Sequence, residues 1–171
     1  GGWITDIAEQ DWDKTVDGYL KSVWLCMKYE LPEMLKAGHG AIVNTSSVDG
    51  ERAFPWDPVY SAAKHGVLGL TKSAAMQYAD KGIRINAVCP GWIRTPPTEG
   101  ILAHDPGAEA RMLMHQPIGR LGLAEEVAQV ETGYSYTVGR ALEELDPAAC
   151  GREAAERACR LLGARKCPSM K

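Results

Sequence analysis

The chain has 171 residues, 45% of them hydrophobic and 24% charged, with a formal net charge of −3 at pH 7. That length supports one globular domain with a sizeable core, while a mildly acidic chain without basic clusters lacks the electrostatic footprint of a nucleic-acid binder. The longest apolar runs are too short to cross a bilayer and no signal-peptide pattern stands at Gly1, so the expected setting is cytoplasmic with no membrane partner.

In chain order, Asp6 to Lys36 reads as a long helix. Asp6 and Glu9 stand at capping-box spacing, and Trp12, Val16, Leu20, Val23, Trp24, Met27, Leu31 and Leu35 form its apolar stripe. Pro32 is expected to kink it near its end. Residues 40 to 46 and 83 to 89 are nearly continuous apolar runs, the pattern of parallel strands buried on both faces. Between them a helix runs from Pro58 to about Asp80. Asp57 opens it, because its side chain can accept free N–H groups of the first turn and Pro58 tolerates the first helical position. Gly66 and Gly69 within this helix are expected to permit the close approach of another backbone.

Cys89-Pro-Gly-Trp-Ile-Arg-Thr95 turns the chain out of the second strand, and a variable stretch from Pro96 to about Pro117 precedes a short helix at Gly122-Leu-Ala-Glu-Glu-Val-Ala. The tail has a separate helical logic, opened at Asp146-Pro147 and closed at Gly163. Two domains follow, residues 1–130 and a helical tail over 131–171. The five cysteines, Cys26, Cys89, Cys150, Cys159 and Cys167, are odd in number without close metal-ligand pairing, which points to reduced thiols and no metal site. Cys26 and Cys89 are expected to pack in the interior.

The candidate chemistry lies at Ser47, Tyr60 and Lys64. Tyr60 and Lys64 are four residues apart on the helix and rise from one face. A free phenol titrates near pKa ~10, and both a fixed ammonium and the positive end of a helix favour its ionised form, so the pair is expected to bring proton exchange by Tyr60 toward neutrality. Ser47 follows the first strand at the carboxyl edge where open α/β sheets place ligands. His65 is adjacent to Lys64 and faces elsewhere. A hydrolase with Ser47 as nucleophile would lack the Gly-x-Ser-x-Gly elbow and would need the distant His104 or His115 as its base.

The runs GAIVNTSSVDG, YSAAKHGVLGLTKSAA and GIRINAVCPGWIRT, in this order, closely resemble the short-chain dehydrogenase/reductase family over roughly Asp6 to Val130. The resemblance implies an α/β fold: a partial Rossmann-like, doubly wound parallel sheet lacking its N-terminal nucleotide-binding half, since no strand, glycine-rich turn and helix precede residue 6. It implies an NAD(P)-dependent oxidoreductase acting on a secondary alcohol or ketone, with Ser47, Tyr60 and Lys64 catalytic. Tyr60 and Lys64 would also touch the cofactor, with Pro90, Gly91, Ile93 and Thr95 against the nicotinamide. NAD and NADP are not distinguished, because the selecting residue belongs to the absent half. Pro96 to Pro117 corresponds in position to the family's substrate lid.

One position departs from the pattern. Where the family carries an asparagine that serves a proton relay, this chain has Tyr19. The resemblance also implies a homodimer or homotetramer formed through helices 9–36 and 58–80. Without the glycine-rich turn, the isolated chain is expected to bind cofactor weakly or not at all, which leaves a non-catalytic helical self-association module as the alternative.

Overall fold

Two apolar runs, Gly40–Thr45 (β1) and Ile83–Val88 (β2), lie side by side as a parallel pair, with Ile42 opposite Ile85 and Asn44 opposite Ala87. Parallel strands need a long crossover, which the intervening helix supplies. The structure, a computed structural model, describes the backbone of residues 2–136 and the side chains of residues 2–131. Residues 1–131 form one packed unit. The helix expected at Asp146 to Gly163, and Cys150, Cys159 and Cys167, lie outside the described residues.

The first helical region is not one regular helix. Glu9–Val16 (α1) leads into a π-helical turn at Asp17–Lys21, and Ser22–Ala37 (α2) continues from it. The expected capping box at Asp6 and Glu9 does not form. Asp6 lies in a turn whose backbone N–H bonds the Trp3 carbonyl, and the residue before the helix is Ala8, without a side-chain cap. The crossover helix Pro58–Tyr78 (α3) starts as expected, with Asp57 Oδ1 accepting the Tyr60 backbone N–H at 3.3 Å. A short 3-10 turn, Ala79–Lys81, then carries the chain to Gly82.

Gly38 and Gly82, at φ 76° and 71°, turn the chain out of α2 and into β2. A Cβ on Gly82 would meet the Gly38 carbonyl oxygen at 2.8 Å, so the two strand entrances cross too closely for any other residue.

The main core is formed by Met27 and Leu31 of α2, Ala74 of α3, and Ile42, Ile83 and Ile85 of the strands. Both helices therefore cover the same face of the sheet. On the other face Ala41, Val43, Arg84 and Asn86 are half-buried and Val88 is buried. Burial therefore reaches both faces, as expected from the apolar runs, but is deeper on the face that the two helices cover. Asn44 points into the helix-covered face, where Nδ2 donates to Thr71 Oγ1 at 2.9 Å and lies 3.3 Å from Met27 Sδ. That satisfies an amide which would otherwise be costly to bury.

Two expectations about individual residues also change. A Cβ on Gly66 would meet Leu20 Cδ2 at 2.7 Å, so the close neighbour is a side chain rather than a backbone, and Gly69 has nothing within 4 Å of such a Cβ. Cys26 is exposed instead of packed, because the α2 face that reaches the sheet is the one bearing Met27 and Leu31.

Beyond β2, Ile93–Arg94 (β3) forms a second, two-residue parallel pairing with Gly122–Leu123 (β4). The stretch between them folds into Pro96–His104 (α4) and Ala108–Leu113 (α5). Ala108, Met112 and Leu121 make a small separate core with Trp92, Leu102 and Leu113 around it. The final described helix, Ala124–Tyr136 (α6), follows β4 directly. Among the described residues no helix is long and apolar enough to cross a membrane.

Candidate active site

Ser47, Tyr60 and Lys64 meet at the carboxyl end of β1. The chain leaves β1 at Thr45, and the Ser46 backbone N–H bonds the Val88 carbonyl at 2.8 Å, which carries the strand pairing one residue further. Ser46 is 3% exposed and its Oγ donates to the Lys64 carbonyl at 2.9 Å. Ser47 begins a 3-10 turn, Val48–Gly50, and its Oγ accepts the Asp49 backbone N–H at 3.1 Å. That bond fixes the hydroxyl near the start of α3, close enough to the Tyr60 phenol to favour its ionised form.

The turn packs tightly under the helix. A Cβ at Gly50 would come within 2.9 Å of the Lys64 carbonyl oxygen, so close approach requires glycine here. Lys64 is 8% exposed, and its Nζ donates to the Thr45 carbonyl at 2.9 Å. The ammonium is held between the end of β1 and two rings: it lies 5.3 Å from the Tyr19 ring centroid and 5.6 Å from that of Tyr60. The rings themselves meet edge to face at 4.9 Å.

The electrostatics differ from the expectation. Burial raises the Tyr60 phenol above its ordinary value; the Ser47 hydroxyl works against this, and Asp49, Tyr19 and Asp57 add to it. Burial lowers the Lys64 ammonium, opposed by Cys89. Lys64 therefore does not bring Tyr60 toward neutrality in this state. Its Nζ faces the ring and bonds a carbonyl of β1, and desolvation of the phenol outweighs the rest.

Asp49 itself is raised by burial and by Asp57, with His65 opposing. His65 Nδ1 lies 2.9 Å from the Ser61 carbonyl oxygen, and the ring is near enough to Asp49 to act on its carboxyl, so it does not simply face elsewhere as expected. Neither distant histidine serves Ser47: His104 Nδ1 contacts the Gly100 carbonyl oxygen, and His115 sits against Phe54 and Trp56.

The turn after β2 is tied to the same end of the sheet. The Val48 backbone N–H donates to the Pro90 carbonyl at 3.0 Å, linking Pro90-Gly91 to the residues just after Ser47. Gln116 holds the other side. Its Oε1 accepts the Trp92 backbone N–H at 2.8 Å, and its Nε2 donates to the carbonyls of Trp92 and Arg120 at 3.1 and 2.6 Å. A Cβ on Gly91 would meet that Oε1 at 2.8 Å. Ile93 and Thr95 are half-buried beyond it, and Thr95 Oγ1 lies 3.2 Å from Thr98 Oγ1. An anchored backbone turn beside a buried ammonium with donors to spare fits the flat, polar end of a nicotinamide nucleotide.

Sequence reasoning missed Ser46, Thr45 and Gln116, which orient the site through backbone carbonyls, and the carboxylates Asp49 and Asp57, which act on Tyr60. The Ser-Ser pair at Ser46-Ser47 is the one signal that pointed to a second hydroxyl. Among the described residues no group of three or more His, Cys, Asp or Glu is placed to hold a metal ion.

Comparison with known proteins places the chain among dehydrogenases and reductases by sequence and fold. The family described as enoyl-(acyl carrier protein) reductase matches residues 1–132. A cyclohexanol dehydrogenase from Acinetobacter sp. (strain SE19) is 50% identical over 125 residues, which cover 73% of this chain and 47% of the relative. A 3-oxoacyl-[acyl-carrier-protein] reductase from Thermotoga maritima is 43% identical over 127 residues, covering 74% of this chain and 50% of the relative. The chain thus spans about half the length of the curated relatives it matches. Among solved structures, ElxO with NADP bound superposes at a TM-score of 0.75 with 37% identity, over 79% of this chain and 54% of that one. A short-chain dehydrogenase/reductase oxidoreductase from Burkholderia thailandensis superposes at 0.75 with 28% identity, over 82% and 55%.

Proposed function

The chain belongs to the short-chain dehydrogenase/reductase family, and from that membership we propose that it carries the catalytic part of an NAD(P)-dependent oxidoreductase acting on a secondary alcohol or ketone. The observation that carries this reading is the meeting of Tyr60 and Lys64 beside the end of β1, with the ammonium 5.6 Å from the phenol ring centroid and bonded to the Thr45 carbonyl, two residues before Ser47. A nicotinamide cofactor would supply or accept the hydride. Tyr60 gives a proton to the carbonyl oxygen in reduction and takes the hydroxyl proton in oxidation. Its raised pKa keeps the phenol protonated at neutral pH, the form reduction needs. Ser47 holds the same substrate oxygen. Lys64 uses one of its three N–H donors on Thr45 and has donors left for ribose hydroxyls. Pro90, Gly91, Ile93 and Thr95 form the wall against the nicotinamide.

The substrate reading is extended by three rings near the start of α3. Phe54, Trp56 and His115 stand with centroids 5.2 to 6.3 Å apart, and Trp56 is four residues before Tyr60. An aromatic surface of this kind favours an apolar, ring-shaped alcohol or ketone, in keeping with the name of the Acinetobacter relative.

A second reading, a helical self-association module, is favoured by one feature. An apolar groove lined by Val16, Leu20, Trp24, Gly66 and Leu70 runs between the first helical region and α3, the two segments through which a homodimer or homotetramer would form. Trp24 remains 43% exposed there.

The deciding experiment is a titration of the chain with NADH and with NADPH beside a Lys64→Ala variant, with the oligomeric state measured in parallel. Saturable binding that is lost in the variant supports the oxidoreductase reading. Absence of binding at millimolar cofactor, together with stable self-association, overturns it for this chain in favour of the module.

A further inference from the structure

The Lys64 ammonium sits beside two phenol rings that pack on each other. Nζ stands 5.3 Å from the Tyr19 ring centroid and 5.6 Å from that of Tyr60, and the two rings meet at 90° with centroids 4.9 Å apart. Among the described residues, the Thr45 carbonyl is the one hydrogen-bond acceptor for that ammonium. A π-face stabilises a cation lying within about 6 Å of its centroid, and does so more strongly where water is excluded. Tyr19 reaches this position from the π-helical turn Asp17–Lys21, which packs against α3.

We propose that Tyr19 is a positioning residue whose ring face keeps the buried Lys64 ammonium charged and directed along Tyr60, a role an amide at this position cannot fill in the same way. Its catalytic meaning rests on the oxidoreductase reading above, but the contact itself does not. The ionisable groups facing the pair are few. Cys89 acts on Lys64, while Asp49, Asp57 and Tyr19 act on Tyr60. The carboxylates and the thiol lie on other segments, so a substitution at Tyr19 leaves them in place.

Two forces act on Lys64. Burial disfavours the ammonium and lowers its pKa. The ring face favours the ammonium and limits that fall. An apolar side chain that lacks a π-face removes the compensation and adds no charge, so the Lys64 pKa falls further. Phenylalanine keeps the face and loses only the hydroxyl.

The test is a titration of the lysine side-chain resonances by NMR in the full 171-residue chain without cofactor, with the Lys64 signal identified by its loss in Lys64→Arg. In Tyr19→Leu the Lys64 midpoint is expected to fall by roughly one pH unit, and in Tyr19→Phe to stay within a few tenths of the parent. Tyr19→Met is read in the same way should the leucine variant lose its fold. Equal midpoints in the Phe and the Leu or Met variants overturn the proposal, as does a rise in the latter. Because no cofactor is present, failure of the oxidoreductase reading would leave this result intact, and the reverse also holds.

Discussion

The Ser46 hydroxyl donates to the Lys64 backbone carbonyl across 2.9 Å, fastening the end of β1 to the second turn of α3. This bond joins the residue before Ser47 on the strand side to the residue one helical turn after Tyr60 on the helix side. Ser46→Ala removes a buried donor, and a loss of about 1–2 kcal/mol in urea unfolding is expected. The Tyr60 environment should loosen with it, visible as increased solvent exposure of that ring in fluorescence quenching. No change in either quantity would show that the turn at Val48–Gly50 fixes the site without this bond.

Two glycines, Gly69 within α3 and Gly50 in the turn before it, should respond in opposite directions to alanine. Gly69 has open space around a hypothetical Cβ, so Gly69→Ala is expected to stabilise the chain by roughly 0.5–1 kcal/mol through helix propensity alone. At Gly50 the Lys64 carbonyl oxygen would stand 2.9 Å from the new atom, and Gly50→Ala is expected to cost about 1–3 kcal/mol. Thermal unfolding of the two variants beside the parent checks the signs.

The Tyr60 phenol lies above its ordinary range mainly because it is buried, with Asp49 adding to the effect. Asp49→Asn removes a negative charge while keeping the backbone N–H that bonds Ser47. The Tyr60 ionisation midpoint, followed by ultraviolet difference absorbance against Tyr60→Phe, should therefore move down. The linkage has a definite sign: stability contributed by a raised phenol is fully present below the unfolded value of 10.0 and is lost as pH rises through the folded one. The parent should lose this contribution on the alkaline side, and Asp49→Asn should lose less of it. An unchanged midpoint would remove Asp49 from the set of groups acting on Tyr60.

At the entry to α6, Glu126 takes both guanidinium nitrogens of Arg120, at 2.7 and 2.8 Å, and accepts the Leu123 backbone N–H at 2.8 Å. The Arg120 hydrogen bond is the main reason its carboxyl is lowered from 4.5 to about 2. Because the folded value is depressed, the order this group confers is present above pH 4.5 and is lost as pH falls through about 2. The Leu123 amide resonance should report that transition. In Arg120→Gln the midpoint should return toward the ordinary carboxylate range, and a midpoint that stays low would assign the depression to the helix N-terminus instead.

Much of the site was legible because its signals are local. Tyr60 and Lys64 share a face by spacing alone, Asp57-Pro58 announces the helix that carries them, and the apolar runs identify the two strands that pair in parallel. What escaped depends on neighbours distant in sequence. The direction of the Tyr60 shift follows from desolvation and from carboxylates at Asp49 and Asp57, none of which the Tyr60 to Lys64 spacing reveals. The π-helical turn at Asp17–Lys21 leaves the apolar periodicity of the first helix almost unbroken, so the sequence reads as one rod. The deeper burial of one strand face depends on α2 and α3 choosing the same side, and composition carries no trace of that choice. The β3–β4 pairing is two residues long, too short for any period to announce it.

The wide turn at Asp17–Lys21 works as a gear between two surfaces. One surplus residue delays the rotation of everything downstream by roughly 100°, the angle a regular helix turns per residue. The same rod can thereby lay its first half against α3, where Tyr19 meets Tyr60, and its second half against β1, where Met27 and Leu31 meet Ile42. Removing a single residue from the turn would leave a helix of better local geometry whose two halves are out of phase with their partners. The active-site contact and the sheet core are thus mechanically geared to one another, and the irregularity is what lets both engage at once.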